Sequence, residues 1–295
     1  MTAWRRFLRY PAAVLSLVLL MLLAGASLAA PLVESALGVD ANAVSLFDRF
    51  APPSPQNWLG TDELGRDVLV RLLYGGRVSL FVGLAAAVAS AVVGTVIGLL
   101  AGFFGGRFDA VLMRVTDGVI ALPLLPLLIV LAAVDLGKLG VPAGLAQSDQ
   151  VSLYRIIVIV SLAGWTTVAR LVRGAALSVR QREYVRAATA LGAGNLRLML
   201  VHVLPNVASP IVVATTLSVG NIILLESVLS FLGLGIQPPL PSWGNMLTNA
   251  QELIWSAPML AIYPGLLIFV TVIAFNFVGD GLQDALDPRA DVSRR

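Results

Sequence analysis

Few side chains in this sequence could take part in catalysis, and their neighbours limit the chemistry further. Lys138 is the one lysine and is followed by Leu139, so the chain lacks the Gly-rich turn with Lys and Ser or Thr that cradles nucleotide phosphates in a P-loop. His202 is the one histidine, and there is no cysteine and no G-x-S-x-G motif. These counts exclude thiolate metal sites and argue against zinc peptidases and histidine-based hydrolases. We therefore predict that the chain is not an enzyme and carries no catalytic residue, metal site or cofactor of its own.

Two acidic side chains, Asp117 and Glu226, lie within long apolar runs. Burying a carboxylate in an apolar medium is costly unless the group is paired or hydrated, so either acid is a candidate functional group. Asp117 lies near the start of its run and Glu226 near the end of another, so we expect them toward opposite membrane faces rather than in a carboxylate dyad. Glu226 could reach the outer interface, hydrogen-bond within a helix bundle or contact a substrate. We retain it as a candidate gate residue.

The composition places the chain in a membrane. Of its 295 residues, 58% are apolar and 13% are charged, and the mean hydropathy is +0.87. An ordinary soluble domain is about 45–50% apolar and about 25% charged. One soluble globule of this size could not hide so much apolar surface, which leaves lipid as the solvent for most of it.

Hydropathy predicts an all-α polytopic transmembrane bundle with about six spans, at 12–31, 79–104, 110–134, 154–173, 206–232 and 257–279. Each is long enough to cross a hydrocarbon core, which takes about 20 helical residues. The first 30 residues superficially resemble a signal peptide, because arginines precede an apolar run and small residues follow it. The apolar run is long enough to span the bilayer, so we predict a retained first helix.

The basic residues sort to one side of these spans. With a cytoplasmic N-terminus, most of the 20 Lys and Arg residues fall inside, as the positive-inside rule expects. They are Arg5, Arg6, Arg9, Arg107, Arg114, Arg170, Arg173, Arg180, Arg182, Arg186, Arg197, Arg289, Arg294 and Arg295. We therefore predict a multi-pass membrane protein with both termini cytoplasmic.

Small residues and turn residues predict local features. The series Gly94, Gly98 and Gly102 puts one small-residue face on the second span, where another helix could approach closely. Between the first two spans, residues 61–74 show an apolar face and i,i+4 pairs of Asp with Arg. We predict there an amphipathic helix capped by Thr61 and ended by Gly75 and Gly76, lying on the outer membrane face or against the bundle. A solvated loop helix is the alternative.

The segment 180–205 is the most informative polar loop. Good helix formers run from Glu183 to Leu191, Gly192 and Gly194 break the helix, and Asn195 could cap a second one before Pro205 opens the next span. This pattern predicts a short helix, a turn and another short helix. Ala187 and Ala188 beside the turn would let a partner protein approach closely, whereas a plain solvated connector is the alternative.

This segment resembles the EAA loop of permease subunits in ATP-binding-cassette importers. That loop has the spacing E-A-A, three residues, G, nine residues and I-x-L-P, on which Ala187, Ala188, Gly192, Leu204 and Pro205 fall. Two positions depart from the pattern, because Arg186 stands in place of the first Glu and His202 in place of Ile. Glu183, one helical turn earlier, could supply a polar contact instead.

Three further stretches sharpen the resemblance to the C-type permeases of the dipeptide, oligopeptide and nickel branch. They read NWLGTDELGRDVLVRLLYGGRVSL at 57–80, LSFLGLGIQPPLPSWGNML at 229–247 and FNFVGDGLQDALDPR at 275–289. The likeness covers nearly the whole chain. It implies the type I importer permease fold, with an N-terminal helix and extracytoplasmic segment at 1–78, a permease core of five spans at 79–282 and a cytoplasmic tail at 283–295.

The resemblance also implies partners and sites. The partners would be a second homologous permease chain, cytoplasmic ATP-binding subunits that bind ATP and Mg²⁺, an extracytoplasmic solute-binding protein and membrane lipid, with no nucleic acid. ATPase docking would use the loop at 180–205, through Glu183, Ala187, Ala188, Gly192, Leu204 and Pro205. A gate or a binding-protein contact would involve Glu226, Pro238, Pro239 and Trp243.

Two rival classes remain open at this stage. A secondary transporter or channel, acting without an ATPase, would be expected to show ion-coupling residues deep in the spans or inverted repeats, and neither is clear in the sequence. A polytopic membrane enzyme is disfavoured by the residue inventory. Di- and oligopeptides are the substrates that the resemblance favours, whereas nickel chelates, glutathione, opines and sugars remain open.

Overall fold

The computed structural model describes residues 3–139, 142, 144 and 149–286, and this part of the chain is helical with long connecting loops. In chain order the helices are α1 Ala3–Phe7, α2 Pro11–Leu28, α3 Ala30–Leu37, α4 Val68–Phe104, α5 Gly106–Ala121, α6 Leu124–Ala132, α7 Asp149–Arg180, α8 Glu183–Ala190, α9 Asn195–Arg197, a π-helical turn Leu198–Val203, α10 Leu204–Phe231, α11 Ala250–Leu253 and α12 Met259–Leu286. Short 3₁₀ turns lie at Leu46–Asp48, Leu136–Leu139 and Asn245–Leu247.

Within the described residues, five helices are long and apolar enough to cross a membrane, or six if one bent pair is counted as a span. The bent pair is α5 and α6, which meet at 86°. The predicted third span at 110–134 therefore consists of two helices with a sharp bend, and the predicted count of six holds when this pair is counted as one span. The reason is local, because Leu122 precedes Pro123 and adopts an extended ψ of 138° instead of a helical one.

The bounds of the predicted amphipathic helix at 61–74 are wrong at both ends. Thr61 lies in a tight loop where it pairs with Asp67, and the helix begins only at Val68. Asp67 caps it, since its Oδ1 accepts a 2.7 Å hydrogen bond from the Val70 amide. Gly75 and Gly76 do not end this helix but lie inside α4, which runs without a break to Phe104.

The charged pairs predicted for this segment are only partly correct. Arg66 and Asp62 form the expected ion pair, with Nε and Oδ2 2.8 Å apart, but within the loop and not on a helix. Arg71 places its Nε 3.6 Å from the same Asp62 oxygen instead of pairing with Asp67. Asp62 therefore organises the loop that precedes α4.

The small-residue face of α4 is confirmed. A Cβ added at Gly94 would lie 2.5 Å from the carbonyl oxygen of Trp165, and one at Gly102 would lie 2.8 Å from the Ala176 Cβ. Gly98 meets the backbone of α7 between these two points. The absence of side chains along this stripe lets α4 and α7 pack with their backbones in near contact.

The helices form one bundle in which α7, α10 and α12 pack in succession around α4, and α2 lies against α12 and α4. One apolar cluster lies where α4 begins and α10 ends, around Val68, Ile223 and Trp243. A second lies at the opposite ends of α4 and α7, around Phe103 and Ala176. The arginine-rich segments thus gather at one end of the bundle, in keeping with the charge pattern, while the sidedness itself stays a prediction.

The division into 1–78, 79–282 and 283–295 stays a prediction as well. The first boundary falls inside the unbroken helix α4, and the second falls inside α12, which continues to Leu286. The later part of the predicted tail lies outside the described residues.

Candidate functional site

The loop at 180–205, named here the docking loop, folds as the predicted helix, turn and helix. Helix α8 closes with Gly192 at a φ of +85°, and the amide of Ala193 donates to the carbonyl of Ala188 at 3.0 Å. The Gly192 amide donates to the carbonyl oxygen of Thr189 at 3.0 Å. This pair of bonds is a Schellman motif, in which the residue with positive φ is usually glycine because it lacks a Cβ.

One face of the docking loop is fastened to the bundle. Val185 of α8 is buried, as are Leu198 and Val203 of the π-helical turn. They pack with Phe103 and Ala176 at the ends of α4 and α7. One face of the docking loop is therefore packed against the end of the bundle.

The opposite face of the docking loop leaves apolar side chains uncovered. Leu191 at the turn is 89% exposed and Leu196 is 66% exposed, with Tyr184 also exposed on α8. Exposed apolar clusters beside polar residues mark contact surfaces for other proteins. The docking loop thus presents a partly apolar surface beyond the spanning helices.

The predicted docking residues occupy different environments. Glu183, Ala187, Gly192 and Pro205 are exposed, whereas Ala188 and Leu204 are half-buried and pack against the docking loop's own apolar cluster. Of this adjacent pair, Ala187 is open to a partner, whereas Ala188 is partly covered by the loop itself. Contact of any of these residues with an ATPase stays a prediction.

Two details of the second helix also differ from expectation. Asn195 does not cap it but is its first residue, after Gly194, and no side-chain capping bond forms there. A π-helical turn then leads directly into α10, with Pro205 in its first turn as predicted. His202 lies in that turn, and its carbonyl accepts a 2.8 Å hydrogen bond from the Asn206 side chain.

At the other end of the bundle, Glu226 is fully buried. Its Oε1 accepts a 2.7 Å hydrogen bond from the Ser230 hydroxyl, and its Oε2 lies 3.3 Å from the Ser79 hydroxyl on α4. Of the alternatives for Glu226, the structure thus favours hydrogen bonding within the bundle. The side chain links α10 to α4.

The same network anchors the segment 236–247 that follows α10. The Trp243 amide donates to the Ser79 hydroxyl at 3.1 Å, and the Ile236 amide donates to the Ser230 hydroxyl at 3.0 Å. Asn245 closes the loop by donating to the Leu240 carbonyl at 2.7 Å. Two serines thus connect Glu226 to the folded segment 236–247.

The predicted gate residues divide into two kinds. Pro238 and Pro239 are exposed at the tip of the segment, whereas Trp243 and Glu226 are buried beneath it. A direct partner contact stays a prediction for all four. Ser227 and Ser230, one and four residues after Glu226, could have signalled its hydrogen bonding within α10, but the approach of Ser79 could not be read from the sequence.

Among the described residues, no group of three or more His, Asp or Glu side chains lies close enough to hold a metal ion. The described residues thus form long apolar helices, with a folded loop at one end of the bundle and the docking loop at the other. They define a multi-pass α-helical membrane protein.

Comparison with known proteins identifies the family. The model for the inner membrane component of binding-protein-dependent transport systems matches residues 94–292, and the model for the N-terminal transmembrane domain of oligopeptide transport permease C matches residues 1–53. The chain belongs to this family of inner membrane transport components, and the sequence resemblance is confirmed.

Individual relatives agree over nearly the whole length. The chain is 38% identical over 287 residues to the oligopeptide transport system permease protein OppC of Bacillus subtilis (strain 168), covering 97% of this chain and 88% of that protein. It is 40% identical over 288 residues to the dipeptide transport system permease protein DppC of the same organism, covering 97% and 85%. A solved structure described as an amino acid ABC transporter with histidines matches with a TM-score of 0.50 and 15% identity, covering 70% of this chain and 90% of that chain, and it supports the fold.

Proposed function

We propose that the chain is one of two different permease subunits of an ATP-driven importer for di- or oligopeptides. The observation that carries this proposal is the docking loop, whose apolar face is exposed at Leu191 and Leu196 while Val185 and Leu198 fasten it to the bundle. A permease that receives energy from a separate ATPase needs a contact surface that is joined to its own spanning helices. The peptide substrate is inferred from the likeness to the oligopeptide and dipeptide permease proteins.

An importer of this kind needs three kinds of partner besides this chain. The sole lysine is followed by leucine, so ATP and Mg²⁺ would bind to cytoplasmic partner subunits. A second permease chain would complete the translocation path, and an extracytoplasmic solute-binding protein would deliver the peptide. The docking loop and both termini would then lie in the cytoplasm of a bacterial or archaeal cell, which the arginine distribution supports.

The outer segment 236–247 would face the solute-binding protein in this arrangement. Its exposed tip at Pro238 and Pro239 is available for contact. Trp243 and Glu226, buried beneath it, would act by holding the tip in position. This separates the four predicted gate residues into contact residues and positioning residues.

The proposal is tested by reconstituting the chain in vesicles with its second permease, its ATPase subunits and its solute-binding protein. Labelled peptide should accumulate only when all components and ATP are present. Omitting the ATPase subunits is the key control. Peptide transport by this chain alone would show a secondary transporter or channel instead.

A further inference from the structure

A cavity of about 400 Å³ lies between the bent pair α5 and α6, helix α7 and helix α10. Its walls are mainly apolar, with Leu122 and Leu124 from the bend and Leu225 from α10. Thr167 and Arg170 of α7 supply polar groups. Small-ligand sites have this character, with volumes of about 300–1,000 Å³ and few polar groups in an apolar lining.

Two ion pairs join α5 to α7 beside this cavity, and they differ in kind. Arg173 binds Asp109 through two bonds, Nε to Oδ1 at 2.5 Å and Nη2 to Oδ2 at 2.6 Å, and Asp109 is buried. Arg170 holds Asp117 through Nη2 alone at 2.5 Å, and the two side chains are 49% and 57% exposed. The Arg173 pair is thus bidentate and partly buried, whereas the Arg170 pair is held by one contact and is open to other groups.

The exposed pair lies well inside its helices. Asp117 follows the start of α5 at Gly106 by about 17 Å, taking 1.5 Å per residue, and Arg170 precedes the end of α7 at Arg180 by about 15 Å. Half-exposed charges at such positions in spanning helices face water or protein rather than lipid. The charged pair therefore faces water or protein, and so does the part of the cavity wall that Arg170 lines.

We propose that Arg170 binds the terminal carboxylate of a peptide in this cavity, displacing Asp117 from its guanidinium. A guanidinium has five N–H donors and favours two parallel bonds to a carboxylate, whereas Asp117 occupies only Nη2. When no peptide is bound, Asp117 pairs with the Arg170 guanidinium. The apolar walls accept side chains without strong preference, so the terminal group is the part of the substrate that this site recognises. The inference rests on the proposed function.

The test uses the complete importer in vesicles and compares uptake of one dipeptide with a free C-terminal carboxylate against the same dipeptide amidated at that end. Affinity of the solute-binding protein affects this acid-to-amide ratio equally in every permease variant. A change of the ratio between variants therefore reports on the permease alone. Co-purification of all subunits checks assembly.

Arg170→Gln is expected to lower the acid-to-amide ratio about tenfold or more, because it removes a charge-assisted contact. Asp117→Asn should keep or raise the ratio, since it removes the competing carboxylate. Arg173→Gln is the matched control, and it should reduce assembly or overall uptake without changing the ratio.

A charge swap, Asp117→Arg with Arg170→Asp, distinguishes a substrate-binding role of Arg170 from a purely structural role of its ion pair with Asp117. It restores an ion pair but reverses its direction, so the low ratio of Arg170→Gln should persist. Recovery of the wild-type ratio in the swap, or an unchanged ratio in Arg170→Gln, would overturn this inference alone. Failure of the wild-type importer to take up either peptide would overturn the proposed function, and this inference with it.

Discussion

The indole Nε1 of Trp243 donates a 2.9 Å hydrogen bond to the carbonyl oxygen of Leu72, across 171 positions of sequence. The ring is 1% exposed and lies against Gly75 and Gly76, where added Cβ atoms would meet it at 3.3 and 2.9 Å. A side chain from the segment 236–247 thus fills the space that two glycines leave on α4.

Trp243→Ala is expected to destabilise the protein by about 3–5 kcal/mol, because it leaves a large cavity and an unpaired carbonyl. Thermal unfolding of the purified protein in detergent measures the change. Trp255, which is 93% exposed, supplies the control. Trp255→Ala should change stability by no more than about 0.5 kcal/mol. Equal effects of the two substitutions would contradict the anchoring role of Trp243.

The glycine stripe of α4 makes a prediction about close helix packing. Gly98→Ala should destabilise by about 1–3 kcal/mol, since its Cβ would fall 2.9 Å from the Val172 Cβ and 3.0 Å from the Arg173 amide nitrogen. Gly118 on α5 has no atom within 4 Å of an added Cβ. Gly118→Ala should therefore gain about 0.5–1 kcal/mol from helix propensity. Unfolding in detergent that ranks the two variants the other way would refute this packing.

The sequence predicted much of this fold because the relevant signals are local. Hydropathy located the spans, the glycine spacing on α4 indicated its close neighbour, and Gly192 with its flanking helix formers indicated the docking loop. The continuity of α4 through Gly75 and Gly76 was missed. The ring of Trp243 covers both glycines, and they do not end the helix. That contact joins distant parts of the chain and leaves no periodic signal.

The sequence could not decide the environment of Glu226 for a similar reason, because a distant residue contributes to it. Its apolar neighbours in sequence indicate burial, but the hydroxyl of Ser79 reaches it from α4. The sequence also could not distinguish the exposure of Ala187 from that of Ala188. Ala187 and Ala188 are adjacent small residues, and only the packing of Val185 into the bundle decides which one turns outward.

The sidedness of the chain can be measured directly because it contains no cysteine. Single cysteines labelled with an impermeant maleimide in intact cells should react in 40–70, 140–150 and 238–250 and stay protected in 180–200. Phe47 and Leu191 are strongly exposed and suit the two sides. Permeabilised cells, in which both should react, provide the control. Labelling of Leu191→Cys in intact cells would place the docking loop outside and remove the basis of the proposed function.

Glu63, in the loop before α4, predicts a pH dependence of stability. Burial, and then the nearby Asp62 carboxylate, raise the pKa of Glu63 above its ordinary value of 4.5. Its neutral form is therefore favoured in the folded protein, so its stabilising contribution is present at low pH and is lost as pH rises through the raised pKa.

Glu63→Gln removes this ionisation, and it should make the protein more stable than wild type at neutral pH. The difference should shrink as pH falls below 4.5, where the wild-type side chain is neutral in both states. Unfolding temperatures in detergent at several pH values measure it. Asp40→Asn, at an exposed loop position, is the control for a general effect of removing a carboxylate. A stability difference between Glu63→Gln and wild type that grows toward low pH would contradict the assigned sign.

The docking loop offers the sharpest separation of folding from partner contact, because Ala187 is exposed and Ala188 is half-buried in the loop's own cluster. Ala187→Glu should leave the unfolding temperature unchanged while weakening co-purification of the ATPase subunits, since a buried unpaired charge in the interface is costly. Ala188→Glu should lower both the unfolding temperature and co-purification. Gly192→Val should act through the backbone, because its φ of +85° is strained for a β-branched residue. If Ala187→Glu assembles with the ATPase subunits and transports like the parent, the docking loop is only a connector between α7 and α10.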